Sequence, residues 1–268
     1  MKFKIALCQM AGSFDKSESM NRAESFVVQA ADNGAKIVSL PEMWNCPYAN
    51  EYFRPYAETA DGETVAFLSR LAKENDIYLV GGSIPELDDG NVYNTSFIFD
   101  RKGKMIGRHR KAHLFDIDVK GGIRFMESDT LTAGDTATVV DTEYCRVGVA
   151  ICYDVRFPEL TRKMALEGAK LVILPAAFNM TTGPVHWEMS MKARALDNQV
   201  YFAANGPARS EDGPYVAYGH SMIVDPWGTV ISSTEEKEDI VYGEIDTDRV
   251  DSVRDQLPLL KHRREELY

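Results

Sequence analysis

Cysteine is scarce in this chain: four in 268 residues, at positions 8, 46, 145 and 152, with no Cys-x-x-Cys pair. That excludes a disulfide-stapled scaffold and leaves no zinc-finger spacing. Long apolar runs are also missing. The stretch Leu171–Phe178 falls far short of the ~20 residues a membrane-spanning helix needs, and the N-terminus enters a strand-like pattern without a signal-peptide core. Positive charge is in deficit, with 30 Lys and Arg against 41 Asp and Glu, or −11 at pH 7. A dedicated nucleic-acid binder needs a basic face for phosphates, and the short basic runs at 108–111 and 261–264 do not supply one. No Walker loop, Gly-x-Gly-x-x-Gly fingerprint or Gly-x-Ser-x-Gly elbow occurs, so nucleotide cofactors have no support. We expect a cytoplasmic globular protein with no nucleic-acid or membrane partner.

What is present points to an α/β architecture. The length suffices for a substantial core, and 44% hydrophobic with 26% charged residues is ordinary for a globular chain. Phe3–Cys8 reads as a buried strand. Asp15 and Glu18 have capping-box spacing ahead of a helix with apolar positions at Met20, Ala23, Val27 and Ala30/Ala31. Strands follow at Lys36–Leu40, Ile77–Gly81 and Asn94–Phe99, with a helix at Glu63–Glu74. The turn Asp100–Gly103 leads into a strand at Met105–Arg108 as a hairpin. Next come strand Arg146–Ile151, helix Glu159–Glu167, strand Leu171–Leu174, helix His186–Asp197 and strand Val200–Ala204. A second hairpin, Ala217–Val224 with Val230–Ser233, precedes a strand near Val241–Ile245, and the charged segment Val250–Tyr268 is expected to pack on another surface. No repeat or linker divides the chain, so we expect one α/β domain of two mixed sheets sandwiched by helices.

Cys152 is the strongest candidate for chemistry. It follows the apolar strand 146–151 and precedes Tyr153-Asp154-Val155-Arg156-Phe157-Pro158-Glu159, which opens a helix. A thiol at such an elbow stands at the sheet edge where α/β folds bind ligands, near amide N–H groups that favour a thiolate and an oxyanion. A buried core position is the commoner fate of a lone cysteine, and Cys8 and Cys145 keep that reading, while Cys46 lies in a Pro-containing loop that could approach a site but has nothing to assign it a role. Glu42 follows Leu40-Pro41 at a strand's mouth. Pro41 stiffens the backbone there, which suits a desolvated general base, with a solvated loop Glu as the ordinary alternative. Lys111, just past the first hairpin, suits stabilisation of a tetrahedral oxyanion, against the plain reading of a basic surface loop. His109 and His113 flank it at an i,i+4 spacing but lack a third metal ligand. Glu127, in a loop opening with Gly121-Gly122, is a supporting carboxylate or a loop charge. His186 offers a Cys–His pairing, yet the sequences around papain-like and caspase cysteines are absent.

Together, Leu40-Pro41-Glu42, Arg110-Lys111-Ala112-His113-Leu114-Phe115 and Ile151-Cys152-Tyr153-Asp154-Val155-Arg156-Phe157-Pro158-Glu159 resemble the Glu–Lys–Cys signatures of the nitrilase superfamily of carbon–nitrogen hydrolases. All three in this order are very specific, and the resemblance spans essentially the whole chain. It implies a four-layer α–β–β–α sandwich, paired as a homodimer whose interface the segment of about 247–268 would join, and it matches the family's second Glu to Glu127. Within the superfamily, residues 115–119, 177–184 and 197–201 resemble omega-amidase most. Deaminated-glutathione amidase and nitrilase are the neighbouring readings, and a catalytically idle dimeric scaffold is the reading from another class.

The resemblance implies hydrolysis, without metal or cofactor, of the terminal carboxamide of 2-oxoglutaramate or succinamate. Glu42 would be the base and Cys152 the nucleophile, passing through a thioester. Lys111 and the Tyr153 backbone N–H would hold the oxyanion, and Glu127 would position Lys111 or the amide nitrogen. An anionic substrate entering a protein of charge −11 needs a local cation. Arg156 is the candidate, on the face of Cys152 if a helix has begun, with pairing to Asp154 or Glu159 as the structural alternative. Phe178 is expected to wall the methylene chain, Tyr48 to stand at the rim, and His186 to lie near the carboxylate site.

Overall fold

Burial alternates along the central strands, and that alternation sets the layers. In β1 (Lys2–Gln9), Phe3, Ile5 and Leu7 enter one interior while Ala6 and Cys8 enter another. The structure, a computed structural model describing residues 1–267, continues through α1 (Lys16–Asp32), β2 (Ile37–Ser39), α2 (Asn50–Tyr56), α3 (Glu63–Glu74), β3 (Tyr78–Val80), β4 (Ile84–Asp88), β5 (Asn91–Phe99), β6 (Met105–Arg110), β7 (Asp116–Asp118), β8 (Arg124–Met126) and β9 (Thr138–Asp141). It is completed by β10 (Arg146–Val149), α4 (Pro158–Leu166), β11 (Ala169–Pro175), α5 (Gly183–Asn198), β12 (Tyr201–Asn205), β13 (Met222–Val224), β14 (Val230–Ser233), β15 (Asp239–Asp246) and α6 (Thr247–Gln256).

A seven-stranded sheet runs β15-β1-β2-β3-β5-β4 with β6 also on β5, and a six-stranded sheet runs β14-β13-β12-β11-β10-β9. In each, three central strands are parallel, β1-β2-β3 and β10-β11-β12, and so are covered on both faces. Leu7, Val149, Leu171, Ile173, Tyr201 and Ala203 fill the space between the sheets. The neighbouring strand positions pack outward, Ala6 and Cys8 with residues of α1 and α3, Val172, Leu174 and Phe202 with residues of α4 and α5. This is the expected α–β–β–α sandwich. It also fixes Cys8 as a packing residue whose thiol burial pushes well up.

Several elements differ from the sequence expectation. Asp15 caps α1, its Oδ1 accepting from Ser17 N at 2.7 Å and Glu18 N at 3.2 Å, but Glu18 accepts from the Ser13 hydroxyl instead of closing a capping box. The expected strand 217–224 contracts to β13, because Gly219 and His220 take φ of 75° and 60° and break the extended run. Helix α2 and strands β4, β7, β8 and β9 are additional. The segment after residue 246 divides: Thr247, Val250 and Val253 of α6 are buried, and Arg254 donates to the carbonyls of Ala169 in β11 and of Gln199 at the end of α5. Its first half is therefore docked on its own chain, while Tyr268 lies outside the described residues. No helix among the described residues is long and apolar enough to cross a membrane.

Candidate active site

Loops leaving β2 and β6 of the first sheet meet loops leaving β10 and β11 of the second. The β2 loop is held tightly. Gly82, at φ 63°, lies where a Cβ would stand 2.1 Å from the Pro41 carbonyl, so the backbones approach as only glycine permits. Ser83 N donates to that carbonyl at 3.0 Å, and Trp44 Nε1 to Gly81 O at 2.8 Å. Across the gap, Ile151 is extended and Cys152 turns to φ 44°. The left-handed region costs a non-glycine residue about 1–3 kcal/mol, an expense common at nucleophile elbows. A 3₁₀ turn, Cys152–Arg156, follows, and Pro158 opens α4 where its missing N–H is harmless. The Tyr153 N–H falls in the first turn of the 3₁₀ segment, where amides have no partner within the helix.

Glu42, Lys111 and Glu127 have no exposed side-chain surface and form one cluster. Lys111 Nζ donates to Glu42 Oε1 at 3.0 Å and to Glu127 Oε1 at 2.8 Å. Asn94 Nδ2 donates to Glu42 Oε1 at 2.8 Å, and the Ala177 N–H donates to Glu42 Oε2 at 2.6 Å. Glu127 Oε2 accepts from Phe115 N at 2.7 Å. Tyr48, expected at the rim, is instead buried in the wall of the pocket. Its hydroxyl lies 3.1 Å from Glu42 Oε1 and 2.7 Å from Glu127 Oε1, because the loop after Glu42 folds back under the carboxylates. The Tyr215 hydroxyl donates to Ala177 O, and its ring lies 4.6 Å from that of Tyr48. A cavity of about 320 Å³ reaches Glu42 past Tyr48, Ala177 and Tyr215.

The electrostatics follow from burial and company. Burial and then the neighbouring Glu42 carboxylate push the Cys152 thiol well up, with Lys111 opposing them. The resting thiol is therefore protonated, and attack needs a base. Burial works against the Lys111 ammonium, but Glu127 and Glu42 outweigh it and hold the group charged. Two carboxylates around one ammonium and one thiol can accept a proton, hold an oxyanion and return the proton.

His109 and His113 converge on Asp154: His109 Nε2 lies 2.9 Å from Oδ2 and His113 Nδ1 lies 2.8 Å from Oδ1. Arg156 therefore does not pair with Asp154, and it makes no bond to Glu159. Its Nη1 lies 3.2 Å from His186 Nδ1, and its guanidinium stands 5.1 Å from the Phe178 ring centroid and 5.7 Å from that of Tyr153. The 3₁₀ turn also changes the geometry expected for it. At three residues per turn, Arg156 stands about 120° around from Cys152 and not on its face. Phe178 is buried, edge-on to Trp187 at 5.1 Å. Sequence reasoning missed Asn94, Tyr215 and the role of Asp154.

Fold and site together define a carbon–nitrogen hydrolase. A family model described as carbon-nitrogen hydrolase matches residues 4–255, and the chain belongs to that family, whose members hydrolyse carbon–nitrogen bonds other than peptide bonds. The chain is 52% identical over 267 residues to omega-amidase NIT2-A of Xenopus laevis, covering 100% of this chain and 97% of that protein. It is 50% identical over 266 residues to omega-amidase NIT2 of Homo sapiens, covering 99% and 96%. Among solved structures it is similar to Saccharomyces cerevisiae Nit3, a member of branch 10 of the nitrilase superfamily, with a TM-score of 0.91, 44% identity and coverage of 98% and 97%.

Proposed function

We propose that this chain is an omega-amidase that hydrolyses the terminal carboxamide of short dicarboxylate monoamides, 2-oxoglutaramate and succinamate, through a thioester on Cys152. The observation that carries the reading is the cluster itself: Lys111 Nζ held between Glu42 and Glu127 at 3.0 and 2.8 Å, with a protonated thiol at a left-handed elbow beside them. The likeness at 50% identity to proteins named omega-amidase supports the substrate class.

Glu42 takes the Cys152 proton as sulfur bonds to the amide carbon. The carbonyl oxygen becomes an oxyanion facing the Lys111 ammonium and the Tyr153 N–H, donors of a kind worth about 3–4 kcal/mol when removed singly. Glu42 returns its proton to the amide nitrogen, the C–N bond breaks, and ammonia leaves. Water then gives a proton to Glu42 and attacks the thioester. Collapse of that second oxyanion expels the sulfur, which recovers its proton from Glu42, and frees the carboxylic acid, which gives up its own proton to the released ammonia or to water.

The distal carboxylate is assigned to Arg156. It has no carboxylate partner among the described residues, and its guanidinium rests on the Phe178 and Tyr153 rings beside the elbow. Phe178 would line the methylene chain, and His186 would orient the guanidinium. The test is ammonia release from a panel of succinamate, 2-oxoglutaramate, butyramide and a nitrile. Turnover of the two acidic amides ahead of the others is expected, and a preference for the nitrile would overturn the reading.

We also propose a homodimer. The outer face of α5 carries Val185, Met189 and Leu196 at 64%, 69% and 41% exposure, an apolar stripe that a second copy would cover. The C-terminal segment would lie alongside. Met189→Glu should shift the sedimentation of the protein toward the monomer.

A further inference from the structure

We propose that Asp154 is a positioning residue for the reaction: with His109 and His113 it locks the loop carrying Lys111 to the elbow carrying Cys152. The reacting groups come from different sheets, so their separation depends on what joins those two loops. Asp154 joins them with all of its acceptor capacity. Its Oδ2 accepts from Ile151 N at 3.0 Å and faces His109 Nε2 at 2.9 Å, while Oδ1 accepts from His113 N at 3.0 Å and faces His113 Nδ1 at 2.8 Å. Ile151 immediately precedes the nucleophile, and the two histidines stand two residues either side of Lys111.

Segment 109–115 has a period of two, and its odd members turn to the site. His109 and His113 reach Asp154, Lys111 reaches the two glutamates, and Phe115 meets Tyr153 edge-on at 5.1 Å. The other nitrogen of His109 lies 3.1 Å from Thr138 Oγ1 on β9, so this side chain bridges the sheets. The His113 ring stacks on Phe157 at 3.7 Å with 9° between planes, which fastens the same loop to the far end of the elbow. Asp154 and His109 are fully buried, and neither they nor His113 makes a hydrogen bond to Glu42, Lys111 or Cys152. The arrangement therefore acts on where Lys111 and Cys152 stand, not on substrate binding.

The proposal rests on Cys152 and Lys111 being the reacting groups, and the test separates the two claims. Kinetics are measured on whichever amide of a panel the wild type turns over best, well below the unfolding temperature, with thermal melts alongside. Asp154→Asn keeps the shape but turns an NH2 against N–H donors. It should lower kcat about a hundredfold, the cost of roughly 1 Å of misplacement, while KM moves less than about threefold. His113→Asn, whose amide can replace Nδ1–H, should keep most of the kcat that His113→Phe loses despite preserving the stack on Phe157. Wild-type kcat in a folded Asp154→Asn enzyme with a lowered melting temperature would overturn the proposal. If that variant does not fold, equal kcat in the two His113 variants overturns it. A Cys152→Ala enzyme as active as wild type would overturn the underlying reading, and the proposal with it.

Discussion

Two buried charged clusters lie side by side in this protein, and they are built on opposite plans. Around Asp154, one carboxylate faces four N–H groups from Ile151, His109 and His113. Around Lys111, two carboxylates divide one ammonium and one phenol, each within 3.1 Å of both Glu42 and Glu127. Burial opposes the charge in both, yet the outcomes differ. Hydrogen bonds from His109 and His113 pull Asp154 well below the usual carboxylate range, whereas burial and the Glu42 charge push Cys152 well above the usual thiol range. Private donors make a charge permanent. Shared donors allow a proton to move without leaving any group stranded, which is what the proposed cycle asks of Glu42.

The largest effect should come from removing the reacting groups. Cys152→Ala is expected to abolish ammonia release while leaving the circular dichroism spectrum and thermal melt intact. Glu42→Gln should leave Cys152 unacylated by intact-mass spectrometry after mixing with amide, since the same carboxylate starts and ends the cycle. Rapid full acylation of that variant would put the first proton transfer on another group.

Next in size is Asp154→Asn, read here through stability. Breaking a buried charged network from one side costs about 3–5 kcal/mol. The sign of the pH dependence follows from the depressed carboxyl. Stability from Asp154 is fully present above the unfolded value of 3.8 and is lost as pH falls through the lower folded value. The variant should therefore have a lower urea midpoint near neutrality and a shallower decline below about pH 4. Parallel declines in the two proteins would place the acid-sensitive group elsewhere.

Arg156→Met comes third. Loss of a charge-assisted contact to the substrate carboxylate costs about 1.5–3 kcal/mol, or roughly ten- to a hundredfold in kcat/KM on succinamate. Butyramide, which lacks the carboxylate, should be nearly unaffected. Lysine at the same position should rescue only partly, because it lacks the planar fork. Equal losses on both amides with a lowered melting temperature would make Arg156 a structural partner of His186.

How much of this the sequence discloses depends on where the information sits. The elbow is legible because an apolar strand, a cysteine and a proline-initiated helix are contiguous, and Glu42 is legible because Pro41 marks the end of β2. The environment of each is not. Ala177 N reaches Glu42 across 135 positions, and a backbone donor has no residue signature. Asp154 looks like a surface partner for Arg156 until the fold brings His109 and His113 to it across 45 and 41 positions. Strand β4 escapes notice because Glu86 is polar in the sequence but fully buried in the sheet, where Arg108 and Arg110 neutralise it. Its turn was nonetheless announced by Asp89-Gly90, a hairpin dipeptide joining β4 to β5. The short strands β7 and β8 have no buried side chains, and so no apolar pattern could disclose them.

The smallest predicted effect sharpens the contrast between private and shared donors most. Burial holds the Tyr48 phenol protonated, so it has one proton to give, and carboxylate oxygens stand at 2.7 and 3.1 Å on either side. Each carboxylate keeps other donors when the hydroxyl is gone: Lys111, Asn94 and the Ala177 N–H for Glu42, Lys111 and the Phe115 N–H for Glu127. Tyr48→Phe should therefore cost only about 1 kcal/mol, roughly fivefold in kcat/KM. Where the loss falls is more telling than its size. A carboxylate that loses a donor loses part of what fixes its orientation, so a Glu42 held less firmly should take the thiol proton more slowly. The loss should appear in kcat, with KM nearly unchanged. An unchanged kcat would mean that the phenol gives its proton to Glu127 alone, making Tyr48 a private donor in a cluster otherwise built from shared ones.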